Sequence, residues 1–404
     1  MELKKERGQA LILVAIAMVA LLAVAGLALD GGKLHSNRRD VQNAADAAAL
    51  AGAQILVDGV CKASGASDGD VRDAVLNYVA SNGIEIDVTY PARNINAWYV
   101  DENETRLQVI GAGTVPNATK GVEVTVFFTE TTNFMKMVGQ PEMKASGNAV
   151  AMFGPVTQLP PNTPVIPVAV PDDAVYGMDA GDEFTVDNDI YCKTNGSQCI
   201  GDTGDANSQR GWLNFDYIYN IEHYQASDAL RRTHKATTNA NDIRDYVTGA
   251  KQTPPIFVGH PPEPLPPSAP TKVYLDGDYI HGEPGEKQAD SKAIFDYYAG
   301  QTVILPVFDV VYSPEYMDAH TSDFPDPHVD SGQTWPNQNQ YLYHIVGFAA
   351  AEICDPATDS NCNSNKEQKE IVGTFMLFNY GQVQIDPTKP VQCDAMVKGV
   401  TLWR

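Results

Sequence analysis

Basic residues are scarce in this chain. Twenty-eight lysines and arginines stand against 51 aspartates and glutamates, a net charge of −23 over 404 residues. Nucleic-acid binding needs a basic footprint, so that class is set aside. The sequence has no Gly-x-x-x-x-Gly-Lys-Ser/Thr phosphate loop and no His-Glu-x-x-His zinc motif. Its six cysteines include no Cys-x-x-Cys pair, which argues against a zinc ribbon. An Asp-x-Ser-x-Ser metal motif is also missing, and the eight histidines are scattered. These absences lead to the expectation of a protein that is not an enzyme and has no obligatory cofactor.

What the chain does have is one long apolar run. Gln9 to Leu29, "QALILVAIAMVALLAVAGLAL", holds 21 residues and no charge. About 20 apolar residues cross a bilayer as a helix. The apolar region of a cleaved signal peptide is about 7–15 residues, so the length favours a retained anchor. Lys4, Lys5 and Arg7 precede the run, and Lys33, Arg38 and Arg39 follow it. That tie leaves the positive-inside rule undecided. The short leader and the cysteine-bearing remainder predict a cytoplasmic N-terminus and an exported C-terminal part.

An even cysteine count in an exported chain points to disulfides. Cys192 with Cys199 and Cys354 with Cys362 close short loops in polar, turn-rich segments. That pairing leaves Cys61 with Cys393. The alternative is a set of reduced, buried thiols.

Helical patterning continues over 33–57, with two readings open at the weak point Gly31-Gly32: one helix continuous with the span, or a hinge or break. "SDGDVRDAVLNYVASNG" reads as a second helix, capped by Ser67 or Asp68, with a Val71, Val75, Leu76 and Val79 stripe and a stop at Gly83. Strands follow at "IEIDVTY", "TRLQVIGAG" and "GVEVTVFF", then a short helical piece at "TTNFMKMVG" and a strand at "MKASGNAVAMF". Beyond residue 155, "ASDALRRTHKA" is helical, and "QTVILPVFDVVY", "YLYHIVGFAAAEI" and "EIVGTFMLFNY" read as packed strands. The Pro-rich stretch 253–270 reads as an extended strap. The expected class is α+β: a long transmembrane and stalk helix, then a β-rich, mainly antiparallel, disulfide-stapled ectodomain. The expected divisions are 1–57, 58–155 and 156–404.

"DVQNAADAAALAGAQ", residues 40–54, is the unusual helix. Eight of its fifteen residues are Ala or Gly. Ala is the best helix former, yet it buries little area. Ala44, Ala48 and Gly52 recur every four residues, as do Ala45, Ala49 and Ala53. Such rows let another element approach the backbone closely. Two occupants fit: a second helix, from this chain or a neighbouring copy, or the protein's own sheet.

Two acidic stretches are candidates for a divalent ion. "DAHTSDFPDPHVD" carries His320 and His328 among aspartates. "YGMDAGDEFTVDND" offers Asp179, Asp182, Asp187 and Asp189 as oxygen ligands for calcium, without EF-hand spacing. A solvated, turn-rich loop is the simpler explanation of each. "GWLNFDYIYNIEHYQ" is either a strand with a buried face or an aromatic binding surface.

The N-terminal elements together resemble the TadE/TadG-like Flp (tight-adherence) pilus-assembly proteins. Arg7-Gly8-Gln9 precedes the span and Asp30 follows it. Arg38 and Arg39, Gln42, and the run from Asp46 to Ala53 complete the pattern. The resemblance covers about 50 of 404 residues. It implies a bitopic envelope protein of tight-adherence pili, partnered by the membrane and by other assembly proteins or further copies of itself. Gly8 stands where type IV pilin relatives are cut, but Leu13 stands where they carry Glu. The expected function is a non-enzymatic anchored structural protein of pilus assembly. The other reading is an anchored, calcium-dependent adhesive or ligand-binding protein.

Overall fold

The structure, a computed structural model, describes residues 7–60, 62, 64–86, 94–159, 161, 163–172, 175, 178, 181–186, 199–200, 211–220, 240–259, 277–282, 288–312, 341–355, 357–358, 371–376, 378–381, 383–389, 391 and 397–403. The chain divides into two compact units. One holds 1–153 with 400–404, and the other holds 154–399.

The first unit is built on one helix. α1 runs Arg7–Val60 without interruption, 54 residues. At 1.5 Å per residue that is about 80 Å. Of the two readings of Gly31-Gly32, the helix is continuous there: both residues are helical, and a Cβ added at either would meet nothing within 4 Å. Flanking Ala, Leu and Lys residues carry the helix through, since Gly costs only about 1 kcal/mol against Ala. α2, Asp68–Ser81, follows. Ser67 is its cap, with Oγ accepting from Asp70 N at 3.4 Å. Val71, Val75 and Val79 are buried, while Leu76 is only half-buried. Gly83 takes φ +80, a left-handed conformation that only glycine adopts without strain.

β1 (Ile95–Val100), β2 (Arg106–Val109), β3 (Gly121–Thr131) and β4 (Glu142–Leu159) form an antiparallel sheet in the order β2-β1-β3-β4. β1 was not expected from sequence. The "IEIDVTY" strand does not form over the described residues 84–86, and the rest of it lies outside them. β3 and β4 pair over eleven registers, from Gly121↔Met152 to Thr131↔Glu142. The expected helical piece in their connection is a single 3-10 turn, Met135–Val138. The chain end returns to this sheet, where Trp403 N donates to Val150 O at 2.8 Å.

The second unit holds β5 (Val170–Pro171), β6 (Glu183–Val186), β7 (Cys199–Ile200), β8 (Leu213–Asn220), α3 (Ala240–Val247), β9 (Ile256–Phe257), β10 (Asp278–Gly282), α4 (Gln288–Tyr298), β11 (Thr302–Tyr312), β12 (Leu342–Ile353), β13 (Ile371–Met376), β14 (Asn379–Gly381) and β15 (Gln384–Ile385). β16, Lys398–Leu402, closes the series and pairs with β14. β11 and β12 form the central antiparallel pair. β12's other edge takes β10 near its start and β13 near its end. β5 and β7 add short parallel pairings to β11. Ile243, Val247, Ile294 and Phe295 of α3 and α4 pack against Val303, Leu305, Val307, Ala349 and Ala351 of the sheet. The aromatic stretch at 211–225 contributes β8, with Trp212 and Phe215 buried, so the described part has a buried face. The fold is thus a long N-terminal helix followed by a β-rich, mainly antiparallel remainder.

Candidate functional site: the anchor helix and its hairpin

α1 has two different halves. From Ile12 to Leu29 the ten large apolar side chains that the structure describes are 57–70% exposed. Among the described residues, nothing covers them. This stretch is apolar and long enough to cross a membrane. Further on, Val41, Ala44, Ala45, Ala48, Ala49, Gly52, Ala53, Leu56 and Val57 are buried.

The small-residue rows meet the chain's own elements. A Cβ on Gly52 would lie 3.1 Å from Val75 of α2 and 3.2 Å from Val122 of β3. From the sheet side, a Cβ on Gly147 of β4 would lie 2.7 Å from Gln42 Cα and from Val41 O. Those neighbours are backbone and cannot swing away. The helix and the β3–β4 hairpin therefore touch main chain to main chain. Larger side chains in the rows would separate them. Both α2 and the sheet use this smooth surface.

Polar contacts fix the register. Gln42 Nε2 donates to Asn148 O at 2.9 Å and to Asp46 Oδ1 at 2.6 Å. Asn148 in turn donates to Glu123 and Thr125 on β3. Lys33 Nζ meets Glu130 Oε1 at 2.8 Å. The hairpin thus follows the helix from Gly52 back to the end of its exposed apolar stretch.

Asp30 closes this line. It is almost fully buried, and its carboxylate accepts three backbone N–H bonds: Asn133 at 3.0 Å, Phe134 at 2.9 Å and Met135 at 2.8 Å. These donors lie at the start of the 3-10 turn, which has no other side-chain cap. Burial on its own would raise the Asp30 pKa. The three donors, aided by nearby Lys33, outweigh it and hold the carboxyl below its ordinary 3.8. One residue past Asn133, Phe134 packs directly on Gly26. Gly26 lies inside the apolar span, and Phe134 stays 40% exposed.

Asp68 does the same work at the far end. Its carboxylate accepts from Tyr99 OH at 2.7 Å, Gly113 N at 2.7 Å and Gly111 N at 2.9 Å, tying α2 to β1 and to the turn after β2. Residues 65–69 spell Gly-Ala-Ser-Asp-Gly, the letters of a hydrolase nucleophile elbow. That motif needs a strand before the serine. Here a helix precedes it and Ser67 is a helix cap.

Of the metal candidates, only Asp182 lies among the described residues, and its backbone carbonyl accepts from Phe375 N at 2.9 Å. Asp179, Asp187, Asp189, His320 and His328 lie outside them, as do Cys61, Cys192, Cys362, Cys393, the helix expected at 226–236 and most of the Pro-rich strap. Cys199 starts β7, and Cys354 directly follows β12. Among the described residues, no group of three or more His, Cys, Asp or Glu is placed to hold a metal.

Sequence reasoning missed a buried pair in the second unit. His344 Nδ1 lies 2.7 Å from Asp309 Oδ1, with both side chains sealed from solvent. Asp309 sits where the β11–β12 register shifts between Phe308 and Val310, and such bulges re-aim a side chain. Tyr279 stacks on the His344 ring, 4.8 Å between centroids. The available signal was a lone Asp and a lone His inside otherwise apolar strands.

Comparison with protein families matches residues 8–54 to Tad, the TadE/G-like Flp pilus-assembly family. The match covers α1 from Gly8 to Gln54. No curated protein and no solved structure matches the chain. Asp30, Gln42 and Asp46 fall inside the match. Asp30 and Gln42 bind the hairpin directly, and Asp46 accepts from Gln42.

Proposed function

We propose that this protein is a non-enzymatic, membrane-anchored structural component of Flp/Tad pilus assembly, with its β-rich part exported. The observation that carries this reading is the division of α1: an exposed apolar span continues as one rigid helix into a folded platform. The Tad match over that same helix supplies the pilus context. About 30 Å of helix suits the bilayer, and the remainder of α1 rises from it as the spine of the first unit. In this reading Cys354–Cys362 and the other pairs staple the exported part.

The Ala rows are occupied by α2 and the β3–β4 hairpin. Assembly with further copies or other pilus proteins therefore runs through surfaces the chain leaves uncovered, including residues 12–29 within the membrane.

The test is deletion of residues 9–29 with Asp30 onward kept intact, because a cut at residue 57 would remove core residues of the first unit. Cells are scored by electron microscopy for pili and by fractionation for the chain. The reading expects loss of pili and release of a folded chain from the membrane. Normal piliation with the truncated chain would overturn it.

A further inference from the structure

We propose that the β3–β4 hairpin tip is a second membrane contact, with Phe134 seated in the lipid interface beside α1. The proposal rests on reading residues 12–29 as the anchor.

The geometry is specific. Phe134 covers Gly26, four residues inside the span from Asp30. Four residues of helix rise about 6 Å. That equals the 5–10 Å depth at which interfacial apolar groups sit. Phe134 does not complete a protein core, since the residue stays 40% exposed on a stretch of helix whose Val24, Leu27 and Leu29 are exposed too. Phe134 thus lies on the helix within its exposed apolar stretch, and what surrounds that stretch reaches the ring. The occupant is a phospholipid bilayer.

The chemistry around the tip suits that boundary. Backbone N–H groups near lipid need partners, because water is scarce there. Asp30 supplies them to residues 133, 134 and 135 from within the helix. Thr132 N and Oγ1 bond back to Pro141 O and Gln140 O. Exposed Lys136 and the partly exposed Lys33 stand where lipid phosphates lie. The tip sequence, Phe-Met-Lys-Met-Val, is apolar around one lysine.

A second copy of the chain, or another protein's membrane helix, is the competing occupant. Photolabelling of the unmodified chain separates them. The full-length protein is reconstituted in phosphatidylcholine vesicles doped with a phospholipid carrying a diazirine near the acyl carbonyl. Adducts are then mapped by mass spectrometry. Lipid adducts on the peptide holding Phe134 to Lys136, at a yield within about threefold of those on residues 24–29, are expected. Adducts on residues 12–29 with none at the tip would overturn the inference and leave the anchor standing. Adducts at neither place would overturn both.

Discussion

The two halves of α1 invert the usual relation between size and burial. Leu13, Val19 and Leu21 are large and exposed, while Ala44, Ala48 and Ala49 are small and fully buried. A water-soluble helix would show the reverse. The difference follows from what each half meets. Lipid tails fill space around any side chain, so the membrane half needs only apolar bulk. A packed sheet and a second helix cannot move aside, so the platform half needs small side chains. One uninterrupted helix serves two solvents.

The largest break in that contrast comes from charge in the platform half. Ala49→Asp buries a carboxylate with no partner, and it should cost about 3–5 kcal/mol in denaturant unfolding of the purified chain. Crowding from the sheet side comes next. Gly147→Val drives a side chain into the backbone at Val41 and Gln42, and it should cost about 3 kcal/mol by the same assay.

Asp30 sharpens the boundary between the halves. Asp30→Asn should speed hydrogen exchange at Asn133, Phe134 and Met135 in vesicles while leaving the β3–β4 ladder protected. Its folded pKa is depressed, so its contribution is full well above the ordinary 3.8 and fades as pH falls below that value. The protection factors of those three amides in the unmodified chain, corrected for the intrinsic pH dependence of exchange, should fall over that acid range and hold steady from pH 5 to 8. The smallest effect belongs to the membrane half: Leu21→Ala should shift unfolding of the platform by under about 0.5 kcal/mol.

Much of this arrangement was legible in the sequence. The uncharged 21-residue run marked the exposed apolar half of α1, and the i, i+4 Ala rows marked a helix that something approaches closely. Alternation in "GVEVTVFF" and "MKASGNAVAM" gave the hairpin strands. The identity of the packing partner was not legible. Ala rows state only that an approaching surface is close, and Gly147, the residue that makes the approach possible, lies about a hundred positions away. Gly31-Gly32 left continuity open because a glycine pair lowers helix propensity locally, while nucleation and packing on either side decide it. Asp30 and Asp68 read as a span end and a cap. Their real roles, gathering backbone donors from distant turns, depend on tertiary contacts that no local pattern encodes. The His344–Asp309 pair is a similar case, since a bulge between the two strands brings them together.

The most direct test of this division is the unfolding free energy of Ala48→Leu in dilute detergent, measured at two protein concentrations. If the row packs on the protein's own hairpin and second helix, the substitution lowers stability by about 1–3 kcal/mol, equally at both concentrations. Unchanged stability in the isolated chain, with pilus assembly lost in cells, would contradict the account and place the row against a neighbouring subunit.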